Sequence, residues 1–174
     1  MNQPGGLADD GVVVSFEEFY EQHHGRVLAL SYALSGSWTV AEDVAQEAFA
    51  RALRDWSRVS QFERADSWVR TVSVNLVRSR SRRVTAEVKA RLRLAGRRVV
   101  PVEGNHAAEF GYVWHAVRRL PRRQAEVVAL HYLDDRSVRD VAGLLGIAEG
   151  TVNTLLYQAR RTLATILSSQ EGDR

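Results

Sequence analysis

Residues 137–161 read SVRDVAGLLGIAEGTVNTLLYQARR, and their apolar members recur at helical spacing on both sides of a glycine-containing turn. Ser137 with Asp140 has the form of a helix cap, Gly146 stands where the first helix would end, and Thr151 stands near the start of the second. The inward faces would consist of Val138, Val141, Ala142 and Leu145, and of Val152, Leu156, Ala159 and Leu163. This pair predicts a helix-turn-helix, whose second helix fits the major groove of DNA, although a generic helical hairpin has the same spacing.

The outward face of the second helix carries polar side chains of the kind that read DNA. Asparagine and glutamine can pair bidentately with adenine, threonine can contact a thymine methyl group or a phosphate, and tyrosine offers a ring and a hydroxyl. Basic residues here and on neighbouring segments would hold backbone phosphates. The candidate groove-facing residues are Asn153, Thr154, Tyr157, Gln158 and Arg161, and the candidate phosphate contacts are Arg122, Arg123, Arg136, Arg139, Arg160 and Arg161.

The composition is that of an ordinary globular chain of 174 residues, of which 45% are hydrophobic and 26% are charged. Cysteine is absent, the five histidines are dispersed, and no residues have the spacing of a metal site or a catalytic group. We therefore expect no enzyme activity, no metal and no cofactor. The sequence shows neither a signal-peptide pattern nor an apolar run of membrane-spanning length, so we predict a soluble cytoplasmic protein with no membrane partner.

The charged residues are distributed unevenly, although the net charge is only +3. Residues 1–63 contain ten acidic and four basic side chains, whereas residues 64–100 contain ten arginines and Lys89 against only Asp66 and Glu87. A local basic excess is typical of a surface that meets a polyanion, because each neutralised phosphate releases counterions. A solvated basic surface is the alternative.

Helical spacing recurs along the rest of the chain and no strand pattern persists. We therefore predict an all-α fold with two small helical domains joined by a flexible linker, the C-terminal domain containing the helix-turn-helix. The predicted helix starts are Ser15 with Glu18, Thr39 with Glu42, Asp66 or Ser67, Tyr112 and Pro121. The predicted boundaries are residues 12–95 for the N-terminal domain, 96–111 for the linker and 112–170 for the C-terminal domain.

The second predicted helix presents a face suited to a protein partner. Asp43, Gln46 and Glu47 are spaced so that they share one side of the helix. The apolar and aromatic residues that run alongside them are Phe49, Leu53 and Trp56. Such an acidic and aromatic face favours a protein contact, and a solvated acidic face over a core helix is the alternative.

The third predicted helix combines aromatic, amide and basic side chains. Trp68 and Asn75 lie on it, Phe62 lies in the loop before it, and the basic cluster at its end consists of Arg78, Arg80, Arg82 and Arg83. Charge for the backbone and aromatic faces for unstacked bases are what single-stranded nucleic acid requires. Core packing would also explain Trp68, and the helix dipole would explain part of the basic cluster.

Four stretches together resemble the extracytoplasmic-function sigma factors of bacteria in order and spacing. They are FEEFYEQHHGRVLALSYALSG, AEDVAQEAFARALRDW, SWVRTVSVNLVRSRSRR and LPRRQAEVVALHYLDDRSVRDVAGLLGIAEGTVN. The most specific parts are D-x-x-Q-E-x-F at 43–49, W-x6-N-x2-R at 68–78, and LPRRQAEVV followed by GTV. The resemblance extends from about Phe16 to Leu167 and leaves out most of the linker.

The resemblance implies a promoter-specificity subunit that binds core RNA polymerase and promoter DNA and has no activity of its own. Its polymerase-binding residues would be Asp43, Gln46, Glu47, Phe49, Leu53 and Trp56. The residues that open and hold the minus-ten element would be Phe62, Trp68, Asn75, Arg78, Arg80, Arg82 and Arg83. The minus-thirty-five element would contact Arg122, Arg139, Thr151, Asn153, Thr154, Tyr157, Gln158, Arg160 and Arg161. Many family members are held inactive by an anti-sigma protein, which is therefore a further candidate partner.

Two other functions remain open at the level of the sequence. One is a stand-alone helix-turn-helix regulator that needs no polymerase. The other is a sigma-like interaction protein that reads DNA poorly, because Asn153, Thr154 and Leu155 stand where family members commonly carry basic residues and serine. The acidic face around Asp43 disfavours the regulator, and the arginine-rich third helix disfavours the interaction protein.

Overall fold

The computed structural model describes residues 14–95 and 111–171, and all regular structure within these ranges is helical. The prediction of an all-α fold is therefore confirmed. In chain order the elements are α1 (Phe16–Ser35), α2 (Trp38–Arg54), α3 (Trp56–Val59), α4 (Ala65–Ala95), α5 (Gly111–Arg118), α6 (Arg122–Val128), a π-helical turn (Ala129–Leu133), α7 (Val138–Leu145) and α8 (Glu149–Glu171). A search of the helices in the described ranges finds none that could cross a membrane.

Local signals explain where α1 and α2 begin. The Ser15 hydroxyl accepts a hydrogen bond from the Glu18 amide at 3.2 Å, and the Glu18 carboxylate accepts one from the Ser15 amide at 3.1 Å, which confirms the predicted cap. The prediction for Thr39 is wrong. Ser37 caps α2 by accepting a hydrogen bond from the Val40 amide at 3.4 Å, and Thr39 already lies inside the helix.

Helices α1, α2 and α4 pack around an aromatic core in the N-terminal half. The Phe19 ring lies at its centre, 6.0 Å from the Phe49 ring and 4.9 Å from the Trp56 ring, measured between centroids. The segment predicted as a loop after α2 contains the single helical turn α3, whose Val59 is buried. This packing fixes which sides of α2 and α4 face outward.

Helices α5 to α8 form the C-terminal half around buried Val128, Val141, Val152 and Leu156. Pro121, which was predicted to be the first helical residue, lies instead at the N-cap of α6, and the helix begins one residue later at Arg122. Helix α6 runs directly into the π-helical turn, whose C-cap is Asp134 and which no local pattern in the sequence indicates. The turn places Asp134 on the side of the N-terminal half.

The two halves share part of their core. Leu30 of α1 and Val74 of α4 belong to the same buried cluster as Val117, Leu130 and Val141 of the C-terminal half. Of the predicted linker, 96–111, only Gly111 lies among the described residues, where it begins α5. The domain boundaries therefore stay predictions, while the contact between the two halves is a property of the described structure.

Candidate nucleic-acid and protein interfaces

The helix-turn-helix has the predicted local geometry. The Ser137 hydroxyl accepts a hydrogen bond from the Asp140 amide at 3.1 Å, and this bond caps α7. Gly146 ends α7 at a φ of 64°, in the left-handed region that glycine adopts without strain. Val141, Ala142 and Leu145 of α7 pack with the buried residues of α8, which are Val152, Leu156 and Ala159. The predicted inward faces are confirmed for these residues.

The predicted groove-facing residues of α8 lie on its exposed side. Asn153, Thr154, Tyr157 and Gln158 are exposed, and the Tyr157 side chain is the most open of the large ones at 59%. The Arg161 guanidinium lies 5.9 Å from the centroid of the Tyr157 ring, so the ring and the charge form one contact surface. The polar stripe is therefore available to a ligand along the first three turns of the helix.

The predicted phosphate contacts of the C-terminal half divide into two groups. Arg139 and Arg160 are exposed beside the α8 stripe, although the Arg160 guanidinium also donates a hydrogen bond to the Leu156 carbonyl at 3.3 Å. Thr151, which was predicted among the minus-thirty-five contacts, is exposed beside them. Arg122 instead lies on α6, where its guanidinium is 3.6 Å from the buried Glu126 carboxylate. Arg122 therefore has a partner within the protein as well as an exposed surface.

The outer face of α2 carries some of the predicted polymerase-binding residues but not all of them. Asp43 and Gln46 are exposed, Glu47 is half-buried and pairs with Arg51 at 2.7 Å, and the Leu53 side chain is 55% exposed on the same side. Leu53 is thus a solvent-exposed apolar residue at the edge of an acidic face. This combination of residues is suited to a protein partner.

Phe49 and Trp56 do not belong to that face. The Phe49 ring is only 2% exposed and lies 4.9 Å from the Tyr20 ring, and Trp56 is half-buried, 5.4 Å from the Phe16 ring. On α2 the position of Phe49 falls on the flank that turns toward α1, so its aromatic ring contributes to the core. The Phe49 ring therefore holds α2 against α1, and Trp56 does the same for the start of α3.

The aromatic and amide residues predicted for the minus-ten element are partly exposed. The Phe62 ring is 38% exposed and has the Arg58 guanidinium 5.9 Å from its centroid. Asn75 is exposed on α4, and its side-chain oxygen accepts a hydrogen bond from Arg78 at 3.2 Å. Trp68 is half-buried and packs against the aromatic core, which is the alternative that the sequence left open.

The four arginines near the middle of α4 have different surroundings. Arg82 and Arg83 are exposed. Arg80 reaches toward α2, where its guanidinium is 3.4 Å from the Val40 carbonyl and 3.9 Å from the Asp43 carboxylate. Arg78 makes two hydrogen bonds of 2.6 Å to the Glu126 carboxylate of the C-terminal half. The cluster is thus an exposed basic surface at Arg82 and Arg83 and a contact between the two halves at Arg78.

Two family models match this chain: Sigma-70 region 2 over residues 19–87, and Sigma-70, region 4, over residues 110–163. The ECF RNA polymerase sigma factor SigM of Mycobacterium tuberculosis is 31% identical over 155 residues, which cover 88% of this chain and 77% of that protein. This chain belongs to the ECF sigma factors. The ECF sigma factor BldN of Streptomyces coelicolor is 33% identical over 169 residues, and the match spans 92% of this chain but 63% of BldN.

Two solved structures share the fold. The sigma factor RpoE of Bartonella quintana, solved in complex with the anti-sigma factor NepR, aligns with a TM-score of 0.75 at 23% identity over 88% of this chain and 96% of that chain. CnrH, solved with the cytosolic domain of CnrY, aligns with a TM-score of 0.62 at 19% identity over 88% of each chain. Both likenesses concern the helical architecture.

This sigma factor also contains a buried charge cluster that sequence reasoning missed. Arg70 of α4 is 1% exposed at its side chain and is hydrogen-bonded to the Asp134 carboxylate, which is 0% exposed. Arg136 joins the cluster from the C-terminal half through Asp134, at 2.9 Å, and through Asp66 of α4. No sequence pattern singles out Arg70 or Asp134. Arg136, which was predicted as a phosphate contact, is instead only 10% exposed at its side chain and pairs with Asp134 and Asp66. Only the docking of the two halves brings these side chains together.

Beside this cluster a cavity of about 450 Å³ opens between α1, α3 and the start of α4. Its lining includes Phe62, Trp56, His23 and Asp66. Burial lowers the pKa of His23, and the positive charge of Arg70 lowers it further. The cavity therefore brings His23, whose neutral form is favoured, together with the Trp56 and Phe62 rings, on the side of the molecule where the minus-ten contacts are predicted.

The ion pairs between the halves make the stability of this sigma factor depend on pH. Burial alone would raise the pKa of Asp66, but the hydrogen bond and charge of Arg136, with the charge of Arg70, outweigh burial and lower it. The hydrogen bond from Arg64 lowers the pKa of Asp140. A carboxyl group with a depressed pKa stabilises the folded state above its unfolded pKa and loses that contribution as pH falls through the folded value.

We therefore expect the free energy of unfolding, measured with urea, to fall as the pH is lowered below about 4, which is the ordinary pKa of an aspartate. The matched comparison is the variant Asp66→Asn/Asp140→Asn, which should be less stable than the wild type at pH 7 and should lose less stability on acidification. Parallel pH profiles for the two proteins would contradict the assignment.

Proposed function

We propose that this chain is a sigma factor that binds core RNA polymerase and directs promoter-specific initiation of transcription. One observation carries the proposal: both sigma regions present family-type residues on outward faces, with the polar stripe on α8 and the acidic and apolar face on α2. A stand-alone regulator would need the first surface but not the second.

In this proposal each surface has one role. Asp43, Gln46, Glu47 and Leu53 contact core polymerase. Phe62, Asn75 and the α4 arginines open the minus-ten element and hold its non-template strand, because an aromatic ring and adjacent cations suit unstacked bases and their phosphates. The α8 stripe reads the minus-thirty-five element in the major groove, with Arg139 and Arg160 on the backbone. Phe49, Trp56 and Trp68 support these surfaces from the core.

The proposal includes the setting in which the protein works. It acts in the cytoplasm, has no catalytic activity of its own and supplies specificity to an enzyme, the polymerase. A protein inhibitor of the anti-sigma class is a further partner, which is supported by the likeness in fold to the sigma factor RpoE of Bartonella quintana, solved in complex with the anti-sigma factor NepR.

Reconstituted transcription tests the function. Core polymerase with the full chain should produce discrete run-off transcripts from a genomic template library, and core polymerase alone should not. Sequence-specific operator binding by the chain without polymerase would favour the stand-alone regulator. Tight core binding with no transcript from any template would favour a sigma-like interaction protein.

The exposed end of the arginine cluster gives a sharper expectation. Arg82→Ala/Arg83→Ala should weaken open-complex formation and reduce the slope of its logarithmic salt dependence by about 1.4, since each contact to a single-strand phosphate contributes about 0.7. Core affinity should not change. The control Arg26→Ala/Arg119→Ala removes the same charge from exposed positions elsewhere and should leave the salt slope unaltered. Equal slopes in both variants would show that Arg82 and Arg83 do not hold phosphate.

A further inference from the structure

We propose that the free protein keeps its two halves closed with an arginine–carboxylate latch, and that promoter DNA must displace part of this latch to be held. The latch consists of Arg64, Asp66, Arg70 and Arg78 on the N-terminal side and Glu126, Asp134, Arg136 and Asp140 on the C-terminal side. The second half of the inference rests on the proposed function, because it assigns the α4 arginines to DNA.

The latch joins two halves whose covalent connection lies outside the described residues. Among the side chains that the structure describes, four ion pairs cross between them: Arg64 with Asp140, Arg70 with Asp134, Arg136 with Asp66, and Arg78 with Glu126. The pairs surround the contact between α4 and the C-terminal helices, where Val74 enters the shared hydrophobic cluster. Charge complementarity therefore fixes the register in which the two halves dock.

Arg78 is the point at which the latch and DNA compete. Its Nε and one Nη donate to the two oxygens of Glu126, both at 2.6 Å, and its other Nη donates to the Asn75 side chain at 3.2 Å. All three nitrogens of the guanidinium are thus engaged, and the fork that would grip a phosphate is occupied by a carboxylate of similar geometry. Phosphate can be held bidentately by Arg78 only after Glu126 has left it.

Glu126 keeps compensating charges when Arg78 is withdrawn. Arg122 and Arg123, on the same helix, lie 3.6 Å and 3.4 Å from its carboxylate oxygens. An unpaired carboxylate would make opening strongly unfavourable. Because Arg122 and Arg123 remain beside Glu126, opening the latch does not leave that carboxylate unpaired. Glu126 can thus release Arg78 while it stays paired with Arg122 and Arg123, so the contact with Arg78 can form and break reversibly.

The buried part of the latch is also incompletely satisfied. One Nη of Arg70 and one carboxylate oxygen of Asp134 are buried without a hydrogen-bond partner among the described residues. Desolvation of such groups opposes the closed state, so the Coulombic attraction between Arg70 and Asp134 is partly offset. The closed arrangement is held by net contributions small enough for polymerase and promoter binding to overcome.

Energy transfer within the free chain tests the latch. The chain contains no cysteine, so Glu17→Cys and Ala164→Cys, at exposed positions on α1 and α8, provide two labelling sites, one in each half. The labelled protein should show mainly a high-transfer population. Adding Asp66→Asn/Glu126→Gln should raise the low-transfer population about tenfold or more, because two interdomain pairs lose their charge. Asp55→Asn, which neutralises the α3 pair with Arg58, is the matched control and should change nothing.

A second set of variants distinguishes loss of the latch from a general folding defect. Arg64 and Asp140 lie at the rim, where Arg64→Glu should raise the low-transfer population and the swap Arg64→Glu/Asp140→Arg should lower it again. An unchanged transfer distribution in folded Asp66→Asn/Glu126→Gln, together with no rescue by the swap, would overturn the latch.

Binding to a fluorescent oligothymidylate strand tests the competition, because a phosphate contact does not need a promoter sequence. Asp66→Asn/Glu126→Gln should bind this strand several-fold more tightly than wild type and than Asp55→Asn. Opening without tighter binding would overturn the competition between Glu126 and phosphate. The transfer measurement needs no polymerase, so absence of transcripts in the reconstituted system would count against the proposed function and not against closure of the halves.

Discussion

Replacing Phe49 by alanine is expected to lower the free energy of unfolding by about 3–5 kcal/mol, because truncating a buried phenylalanine removes its transfer free energy and leaves a cavity. The ring is 2% exposed and lies within 6.0 Å of the rings of Phe19, Tyr20 and His24, measured between centroids. Urea denaturation followed by circular dichroism measures the loss.

Leu53→Ala is the control for this prediction. Leu53 lies on the same helix one turn further along, but its side chain is 55% exposed, so its truncation should change the free energy of unfolding by no more than about 0.5 kcal/mol. A loss of stability in Leu53→Ala equal to that in Phe49→Ala would contradict the division of α2 into a core side and an open side.

The second large effect concerns core polymerase. Asp43→Lys/Leu53→Glu should weaken core binding at least about thirtyfold, since it reverses one charge and places another at the apolar edge of the proposed docking face. Both residues are exposed, so the fold should remain intact. Fluorescence anisotropy of labelled protein titrated with core polymerase measures the affinity.

Glu21→Lys is the matched control, because it reverses an exposed acidic residue on α1 outside the proposed face. It should bind core polymerase as the wild type does. If Asp43→Lys/Leu53→Glu also binds normally, core polymerase docks elsewhere and α2 presents only a solvated acidic surface.

The parts of the structure that sequence reasoning predicted well are those with local causes. A capping serine, a left-handed glycine and a helical apolar stripe act within a few residues of one another, so Ser15, Ser137 and Gly146 identified helix ends that the structure confirms. At α2 the prediction placed the cap at Thr39, whereas Ser37, two residues earlier, caps the helix; serine and threonine are both favoured at this position, so residue type alone does not fix the first turn. The same local patterns assigned the α8 stripe.

The parts that were missed depend on how distant segments meet. A helical repeat shows that Phe49 lies on the border of the acidic face of α2, but the packing of α1 decides that the ring is buried. The partner of Arg70 is 64 residues away along the chain, and no spacing rule relates the two positions. The π-helical turn that precedes Asp134 likewise has no local signal in the sequence.

The shared cluster of Leu30, Val74, Val117 and Leu130 has a consequence for building hybrid sigma factors. Grafting the C-terminal half of another family member onto this N-terminal half would place unrelated side chains against Leu30 and Val74, and a mismatched surface there would be exposed to solvent or overpacked. We expect retargeted chimaeras to remain soluble only when these two positions are exchanged together with the grafted half. A change of promoter specificity made by grafting the C-terminal half therefore also requires a matching change in this shared cluster.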